Sequence, residues 1–421
     1  MALAESLFGD RAGILRTRQF QLLLLANVNG ALGLVVISPF LEVLTGPFGV
    51  TDARVGLLMT AYTVPPVVLI PVVGMLADRY GRKPMLIAGL VVFGLSGAAI
   101  SLTTDFRVAL GLRVIQGIGY AGIVPVIITS IGDLYAGPTE ATAQGLRFTS
   151  SGLTHTVFPV MAGLLVAVAW QFPFLLYLVA LPIALAVLVY FDETLGADTE
   201  GEETLTDGGE HRGRGAYARE IAGLAIQPKL AAVYLAIAVP SVLHIAFLTY
   251  NSFIVVRALG STPGVAGVLL ALVSIVYATA ASQAGRVTDF FGSRVVPIVV
   301  AMVCMGAGLS VVAMAPILPV AALGTVSMGL GVGLCFSLLR SVLTTLAPES
   351  HRGGLVGLGE SIIRLANSIG PVLIGWLIVV FTPAVGDVAA LRYSLVGVAV
   401  VGAAIGVGAM VAARAASPVA T

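Results

Sequence analysis

The stretch that decides the fold runs from Gly74 to Lys83 and reads "GMLADRYGRK". It places four charged side chains and a tight glycine turn in a short break between two long apolar runs. A related decapeptide, "GRVTDFFGSR", begins 211 residues later at Gly285. The segments "GLRFTSSGLTHTVFPVMAGLL" from Gly145 and "GLGESIIRLANSIGPVLIGWL" from Gly357 match at an offset of 212. The two offsets predict that the chain consists of two repeats in the same orientation.

Composition places these repeats in a lipid bilayer. Of the 421 residues, 58% are hydrophobic and 10% are charged, and the charged share is less than half that of soluble globular proteins. Segments such as "FLLYLVALPIALAVLVYF" are long enough to cross the hydrocarbon core as helices. We predict an all-α membrane protein with twelve transmembrane helices in two pseudo-symmetric six-helix bundles. The predicted spans 1 to 12 cover residues 20–45, 54–77, 83–104, 107–134, 142–168, 172–191, 228–253, 264–285, 294–315, 317–341, 354–379 and 388–413.

A polar, glycine-rich break divides the predicted spans into two groups of six. It separates an N-terminal six-helix bundle at residues 1–191 from a C-terminal six-helix bundle at 228–421, with a cytoplasmic linker at 192–227. Arginine and lysine in short loops stay on the cytoplasmic side of a membrane. In the twelve-span arrangement most of them fall on the side of the linker and of both termini. The prediction is a multi-pass protein of the cell (inner) membrane with both termini cytoplasmic.

The remaining features of the sequence exclude several classes of function. The formal net charge is +1, which provides no basic face for nucleic acid. The sequence has no metal-spaced cluster of His, Cys and Glu, no nucleophile elbow and no phosphate-binding glycine loop. We therefore predict neither an enzyme nor a metal site. The expected partners are a small-molecule substrate and the lipid bilayer, with no cofactor beyond a proton gradient, and the expected state is a monomer.

Several motifs together resemble the major facilitator superfamily. They are the repeated loop motif at 74–83 and 285–294, the span 4 stretch "RVIQGIGYAG" and the Gly/Pro pattern of span 5. The stretches "ISPFLEVL" and "WQFPF" are most similar to its drug/proton antiporter branch. The resemblance implies alternating access and export of hydrophobic or amphipathic small molecules in exchange for protons. Two alternatives stay open: an importer or facilitator of a small nutrient such as a sugar or organic acid, and a membrane receptor without transport.

The resemblance implies a gating role for the loop between spans 2 and 3. Asp78 and Arg82 would form a cytoplasmic latch with the second half, near the start of span 11, in the outward-facing state, with Asp133 as an acidic partner. Gly74 would let span 2 pack closely. Alternatively the charges only fix the topology, although aspartate contributes little to it. The second copy is degraded, so the latch is expected to be asymmetric. The predicted gating residues are Gly74, Asp78, Arg79, Gly81, Arg82, Lys83, Asp133 and Asp289.

Polar residues inside the spans are candidates for the substrate or proton pathway, because they are costly in a membrane without a function or a partner. By the resemblance, Arg113 of span 4 transfers protons or anchors polar groups; alternatively, it snorkels to the outer headgroups. His155, about 12 Å deeper in span 5 than Arg147, either titrates or is a neutral histidine bonded to a neighbouring helix. The pathway candidates are Asn29, Arg113, His155, His244, Tyr277 and Asn367, and the proton-carrying candidates are His155, Asp133 and Glu42.

Two smaller groups complete the predicted sites. A helix-bend motif of small residues and proline comprises Pro159 and Gly163 in span 5 and Gly370 and Pro371 in span 11. Glu360 and Arg364 stand four residues apart in span 11, which places both on one helix face. We predict that this pair neutralises itself and so permits insertion. The alternative is a second cytoplasmic gate that includes Arg340.

Overall fold

The computed structural model describes residues 9–193, 214–348 and 351–416. Every regular element in these three ranges is helical, and no strand occurs in them. Eleven of the helices are long and apolar enough to cross a membrane. The prediction of an all-α membrane protein is confirmed.

The first of two compact units contains spans 1 to 6, together with residues 262–271 at the beginning of span 8. Its spans are Arg18–Phe40, Asp52–Tyr80, Arg82–Leu102, Phe106–Leu134, Gly137–Leu165 and Phe172–Tyr190. The α-helix of span 1 ends at Val35, and the 3-10 turn Ser38–Phe40 follows it. The α-helix therefore ends ten residues before the predicted limit at residue 45. It ends early because Pro39 has no N–H group to continue the helical hydrogen bonds.

Among the described helices of spanning length, span 5 alone does not reach the hydropathy of the other eleven. Its 29 residues include a run of serine and threonine on the side of span 1. The amide nitrogen of Asn27 in span 1 donates to the carbonyl of Arg147 at 3.1 Å and to the hydroxyl of Ser151 at 2.8 Å. Polar groups in the hydrocarbon core need hydrogen-bond partners within the protein. The bonds from Asn27 to Arg147 and Ser151 provide such partners for span 5.

The second compact unit contains spans 7 to 12 without residues 262–271. Its spans are Pro228–Ala258, Pro263–Ser282, Val295–Met314, Leu318–Leu346, Arg352–Val385 and Asp387–Ala415. Span 7 is at its centre, since every residue from Ile245 to Phe253 is buried. A short helix, Ala284–Phe291, leads from span 8 toward span 9.

The predicted linker at 192–227 is described only in part. Residues 194–213 lie outside the described residues. The helix Arg214–Ala225 occupies most of the remainder and contacts spans 7 and 11. At one of these contacts the Glu220 Oε2 lies 2.9 Å from Nε2 of His351, just before span 11.

Glycine contacts show the repeat within each unit. A methyl group at Gly117 in span 4 would come within 2.4 Å of the Tyr62 carbonyl oxygen in span 2. A methyl group at Gly329 in span 10 would come within 3.0 Å of the Val273 carbonyl oxygen in span 8. Both pairs sit at the offsets of 211 and 212 read from the sequence. Small residues let the helix backbones approach closely at the same position in both repeats.

Candidate functional site

The loop between spans 2 and 3 turns at Gly81. This glycine has a φ of 101°, in the left-handed region that favours residues without a side chain. A methyl group there would also come within 2.3 Å of Oε2 of Glu193. The helix of span 3 begins directly after the turn, at Arg82. The turn therefore requires glycine both for its backbone conformation and for the space that the Glu193 carboxylate occupies.

Arg82 joins three spans. Its Nη1 donates to Oδ1 of Asp78 in span 2 at 2.5 Å, and its Nε donates to Oδ2 of Asp133 at the end of span 4 at 3.0 Å. The Arg82 side chain is 8% exposed, whereas those of Asp78 and Asp133 are 65% and 30% exposed. Hydrogen bonds between charged groups are stronger than neutral ones, so two carboxylates hold this covered cation in place.

Glu193 completes the arrangement and was not foreseen from the sequence. Its carboxylate accepts from the backbone N–H of Arg82 at 2.7 Å and from that of Lys83 at 3.1 Å. These N–H groups form the first turn of span 3, where an anion is favourable and no side chain of the turn itself caps the helix. We call Asp78, Arg82, Asp133 and Glu193 the charge cluster; all four belong to the first unit.

The other predicted gating residues of this loop lie outside the cluster. Gly74 does not mediate close packing, because a methyl group there would meet nothing within 4 Å among the described residues. That prediction was wrong, since the surface at Gly74 is open. Arg79 is exposed and lies over the Tyr80 ring at 5.4 Å, and Lys83 is half-buried.

The second copy of the loop motif carries no comparable cluster. Asp289 is exposed, and within the described ranges it forms no ion pair. Arg286 donates to Gln283 at 2.8 Å, and Arg294 donates to the hydroxyl of Thr345 at 2.8 Å. The charges of this loop are thus held by neutral groups, and the two copies differ as the degraded second motif predicts.

Arg113 in span 4 is fully buried, with an exposure of 0%. Its Nε donates to the carbonyl of Leu58 at 3.0 Å, its Nη2 to that of Gly33 at 3.0 Å and its Nη1 to Oε1 of Gln116 at 2.6 Å. The guanidinium also lies 4.5 Å from the centre of the Tyr62 ring. The snorkelling interpretation is therefore wrong, because the side chain points into the interior of the first unit, among spans 1, 2 and 4, and not toward headgroups.

The partners of Arg113 are all neutral. Among the described residues no carboxylate forms an ion pair with it; backbone carbonyls, an amide and an aromatic face surround it instead. The contact with Tyr62 is a cation–π interaction, which gains strength away from water. Arg113 thereby ties span 4 to spans 1 and 2 and keeps a positive charge inside the first unit.

Two other candidates of the first unit lie on spans 1 and 5. Asn29 has an exposure of 0%, and neither atom of its amide has a hydrogen-bond partner among the described residues. An unsatisfied buried amide is costly, which marks it as more than a packing residue. His155 is half-buried and forms a hydrogen bond with the backbone of Ala31 in span 1. That geometry is the one expected for a histidine bonded to a neighbouring helix.

The candidates of the second unit are all half-buried: His244, Tyr277 and Asn367. The His244 ring lies edge-on to Phe336, with 6.2 Å between the ring centres. Within the described ranges no group of three His, Cys, Asp or Glu side chains could hold a metal ion.

The predicted helix-bend residues lie at tight helix contacts. A methyl group at Gly163 would come within 2.5 Å of the Pro263 carbonyl oxygen, in the segment 262–271 that packs with the first unit. A methyl group at Gly267 of the same segment would come within 2.3 Å of the Pro159 carbonyl oxygen. In span 11 Gly370 packs against Ile245, and the Pro371 carbonyl accepts from the Tyr250 hydroxyl at 3.2 Å.

The predicted pairing of Glu360 needs a correction. The structure gives Glu360 an ion pair with Nη2 of Arg340 in span 10, whereas the sequence placed its partner one turn away at Arg364. Arg364 has an interaction of its own. Helix spacing favoured the local pair, but the long Arg340 side chain reaches the same carboxylate from the neighbouring helix.

A profile of the Major Facilitator Superfamily matches residues 23–254 and 230–420. The chain therefore belongs to the major facilitator superfamily. Among solved structures, a bacterial homolog of the human lysosomal transporter Spinster, in an inward-facing and occupied conformation, aligns with a TM-score of 0.79. The alignment covers 96% of this chain and 98% of that one at 17% identity, which shows the fold alone.

Curated relatives include an exporter and a drug-resistance protein from two bacteria. The Bacillibactin exporter of Bacillus subtilis (strain 168) is 34% identical over 150 residues, which make up 34% of this chain and 37% of that protein. The Quinolone resistance protein NorA of Staphylococcus aureus is 27% identical over 145 residues, or 34% of this chain and 37% of that protein. The matched segments thus span little more than a third of these relatives. The resemblance to the superfamily and to its drug-efflux members is confirmed.

Proposed function

We propose that this protein is a secondary active transporter that exports hydrophobic or amphipathic small molecules in exchange for protons by alternating access. The name of the bacillibactin exporter supports export, that of the quinolone resistance protein supports an amphipathic drug as cargo, and the superfamily supports alternating access. The observation that carries the choice of apolar cargo is the state of Arg113. Three of the five N–H groups of this cation donate to the protein itself, and the side chain is fully buried, so it presents no accessible donor to a sugar or organic acid.

The transport proposal is tested in liposomes that contain the purified protein. We expect counterflow of ethidium and of a quinolone, and no counterflow of xylose or succinate. An imposed pH gradient should raise ethidium uptake above its gradient-free value. Liposomes without protein control for passive partition of these amphipathic probes. Exchange of xylose or succinate without exchange of ethidium would replace this proposal with the nutrient importer.

The same proposal includes a multi-pass protein in the cell membrane, active as a monomer without a cofactor, with both termini and the linker cytoplasmic. The excess of arginine and lysine on one side of the spans supports the orientation. A Gly208→Cys variant in intact cells should resist an impermeant thiol reagent until the membrane is broken. Labelling of this cysteine from outside intact cells would contradict the proposed topology.

The charge cluster supports a role for Asp78 and Arg82 in holding one state of the transport cycle. An Asp78→Asn variant should remain inserted but transport several-fold more slowly, because Arg82 loses one of its two carboxylate partners. Transport by this variant equal to wild type, at equal expression, would leave the loop charges with a role in topology only.

A further inference from the structure

Among the described carboxylates of the spanning helices, Glu360 lies farthest from a helix end. It is preceded by eight residues of the helix Arg352–Val385, or about 12 Å of helix. The other described carboxylates of the spans lie within four residues of a helix end: Asp52, Asp78, Asp133, Glu140 and Asp387. Glu42 follows the end of span 1 at Phe40. A group at a helix end meets water on one side only, whereas a deep group can meet each side in turn.

The Glu360 side chain is paired with a cation and partly exposed. It forms an ion pair with Arg340, and the side chains of Glu360 and Arg340 are 38% and 50% exposed. Tyr277 of span 8 is close enough to Arg340 to interact with it electrostatically, and Arg364 lies one turn along the same helix. A charged pair exposed to hydrocarbon costs several kcal/mol. The exposed side of this pair therefore faces a water-filled space.

We infer that Glu360 is the group that binds and releases the exchanged proton, with Arg340 as its charge partner. This inference rests on the proposed proton exchange. In the deprotonated state the carboxylate pairs with Arg340, and the pair is neutral overall. A proton from water converts the carboxylate to a carboxylic acid and releases the Arg340 guanidinium. When the ion pair forms again, the proton returns to the water that then reaches the site.

This assignment differs from the three candidates that the sequence favoured. Asp133 is held by Arg82, and Glu42 lies beyond the end of its helix. His155 bonds to the backbone of Ala31. Glu360 lies far from the ends of its helix, is partly exposed and has a cationic partner that protonation releases. These three properties let protonation change the relative energies of two conformations.

Transport variants test the inference in the liposomes described above, with ethidium as the probe. The measured quantity is the ratio of ethidium uptake into liposomes with an acidic interior to uptake into liposomes without a pH gradient. We expect Glu360→Gln to lower this ratio to about one, because no group is left to couple the proton to the conformational change. Glu360→Asp should restore part of the ratio. Asp387→Asn, which removes another carboxylate of the second unit at a helix end, should leave the ratio at its wild-type value.

Two further measurements separate coupling from folding. The double variant Glu360→Gln/Arg340→Gln removes both charges, so it avoids the cost of a lone cation and should insert even if the single variant does not. Infrared titration of the purified protein should show a protonated-carboxyl band that is missing in Glu360→Gln and in the double variant. This measurement requires no cargo and does not depend on the proposed function.

The outcomes are distinct. A wild-type ratio in the inserted single or double variant, or an unchanged carboxyl band, would overturn the role of Glu360. If wild type exchanges none of the probes, the proposed function fails for those cargoes, and the infrared band alone decides whether Glu360 takes up a proton. A lost band together with a ratio of about one would support the inference.

Discussion

The two copies of the loop motif both turn at a glycine of positive φ and differ in their charges. Gly81 and Gly292 stand 211 residues apart, and both have positive φ, at 101° and 59°. In the first unit the residue after the turn is Arg82, held between two carboxylates. In the second unit the residue after the turn is Ser293, whose hydroxyl accepts from the Val295 N–H at 3.2 Å.

The partner positions differ in the same way. Asp133 ends span 4, and at the offset of 212 Thr345 lies near the end of span 10. Its hydroxyl accepts from Arg294 at 2.8 Å, so a neutral hydrogen bond stands where the first unit has an ion pair. The second unit also turns at a glycine of positive φ, without this ion pair. We infer that the turn requires the glycine and does not require the ion pair.

A large effect is expected when the first copy receives the serine of the second. Arg82→Ser leaves Asp78 and Asp133 facing each other, and it should lower the free energy of unfolding by about 2 kcal/mol. The value stays below that of a fully buried pair because the Asp78 side chain is 65% exposed. Thermal unfolding in detergent measures the loss, and transport should fall with it.

Lys83→Ser is the matched control, because it also removes a positive charge, one position after Arg82. The Lys83 side chain lies outside the charge cluster. Its effect on unfolding should stay within about 0.5 kcal/mol. Equal losses in Arg82→Ser and Lys83→Ser would mean that net loop charge matters and that the specific bonds of Arg82 do not.

The two turn glycines should differ in their tolerance of asparagine. Gly292 has the φ and ψ of a left-handed helical residue and open space around it, so Gly292→Asn should cost less than about 1 kcal/mol. Gly81 combines a φ of 101° with a ψ of 155°, a region reserved for glycine, and Gly81→Asn should cost about 1–3 kcal/mol. Unfolding midpoints of the two variants, measured in parallel, give the comparison. Equal midpoints would show that the turn at Gly81 relaxes.

Local features of the sequence predicted the spans and the repeat, because hydropathy and spacing are properties of neighbouring residues. The turn at Gly81 was visible for the same reason. The partners of Arg113 were not, since its Nη2 bonds to Gly33, 80 positions away. Glu193 caps a helix start 110 positions earlier in the chain. Neither contact has a local signal, so only the packing of the spans reveals them.

The pairing of Glu360 shows a different limit of sequence reasoning. A spacing of four residues correctly places Glu360 and Arg364 on one helix face. It cannot rank that local partner against Arg340, which approaches from another helix. The prediction for Gly74 was wrong for a different reason. A small residue permits close packing but does not require a neighbour, and none lies near Gly74 among the described residues.

The cap of span 3 should matter about as much as the local cap of span 9. Glu193→Ala removes the acceptor of two backbone N–H groups and should cost about 1 kcal/mol. Ser293→Ala removes a local acceptor in the second unit and should cost a similar amount. Glu193→Gln keeps one acceptor oxygen and should lose less. If Glu193→Ala unfolds at the wild-type temperature, water replaces the carboxylate and the cap contributes nothing.

The smallest effect is expected for Asp289→Asn. Asp289 stands at the repeat position of Asp78, and both carboxylates are exposed, but only Asp78 bonds to an arginine among the described residues. A surface substitution without a partner changes little, so transport by Asp289→Asn should stay within about twofold of wild type, while Asp78→Asn slows it several-fold. Both rates are measured as ethidium counterflow at equal protein density. Equal slowing by the two variants would show that the second copy also carries the transport role, in a conformation where Asp289 gains a partner that it lacks in this structure.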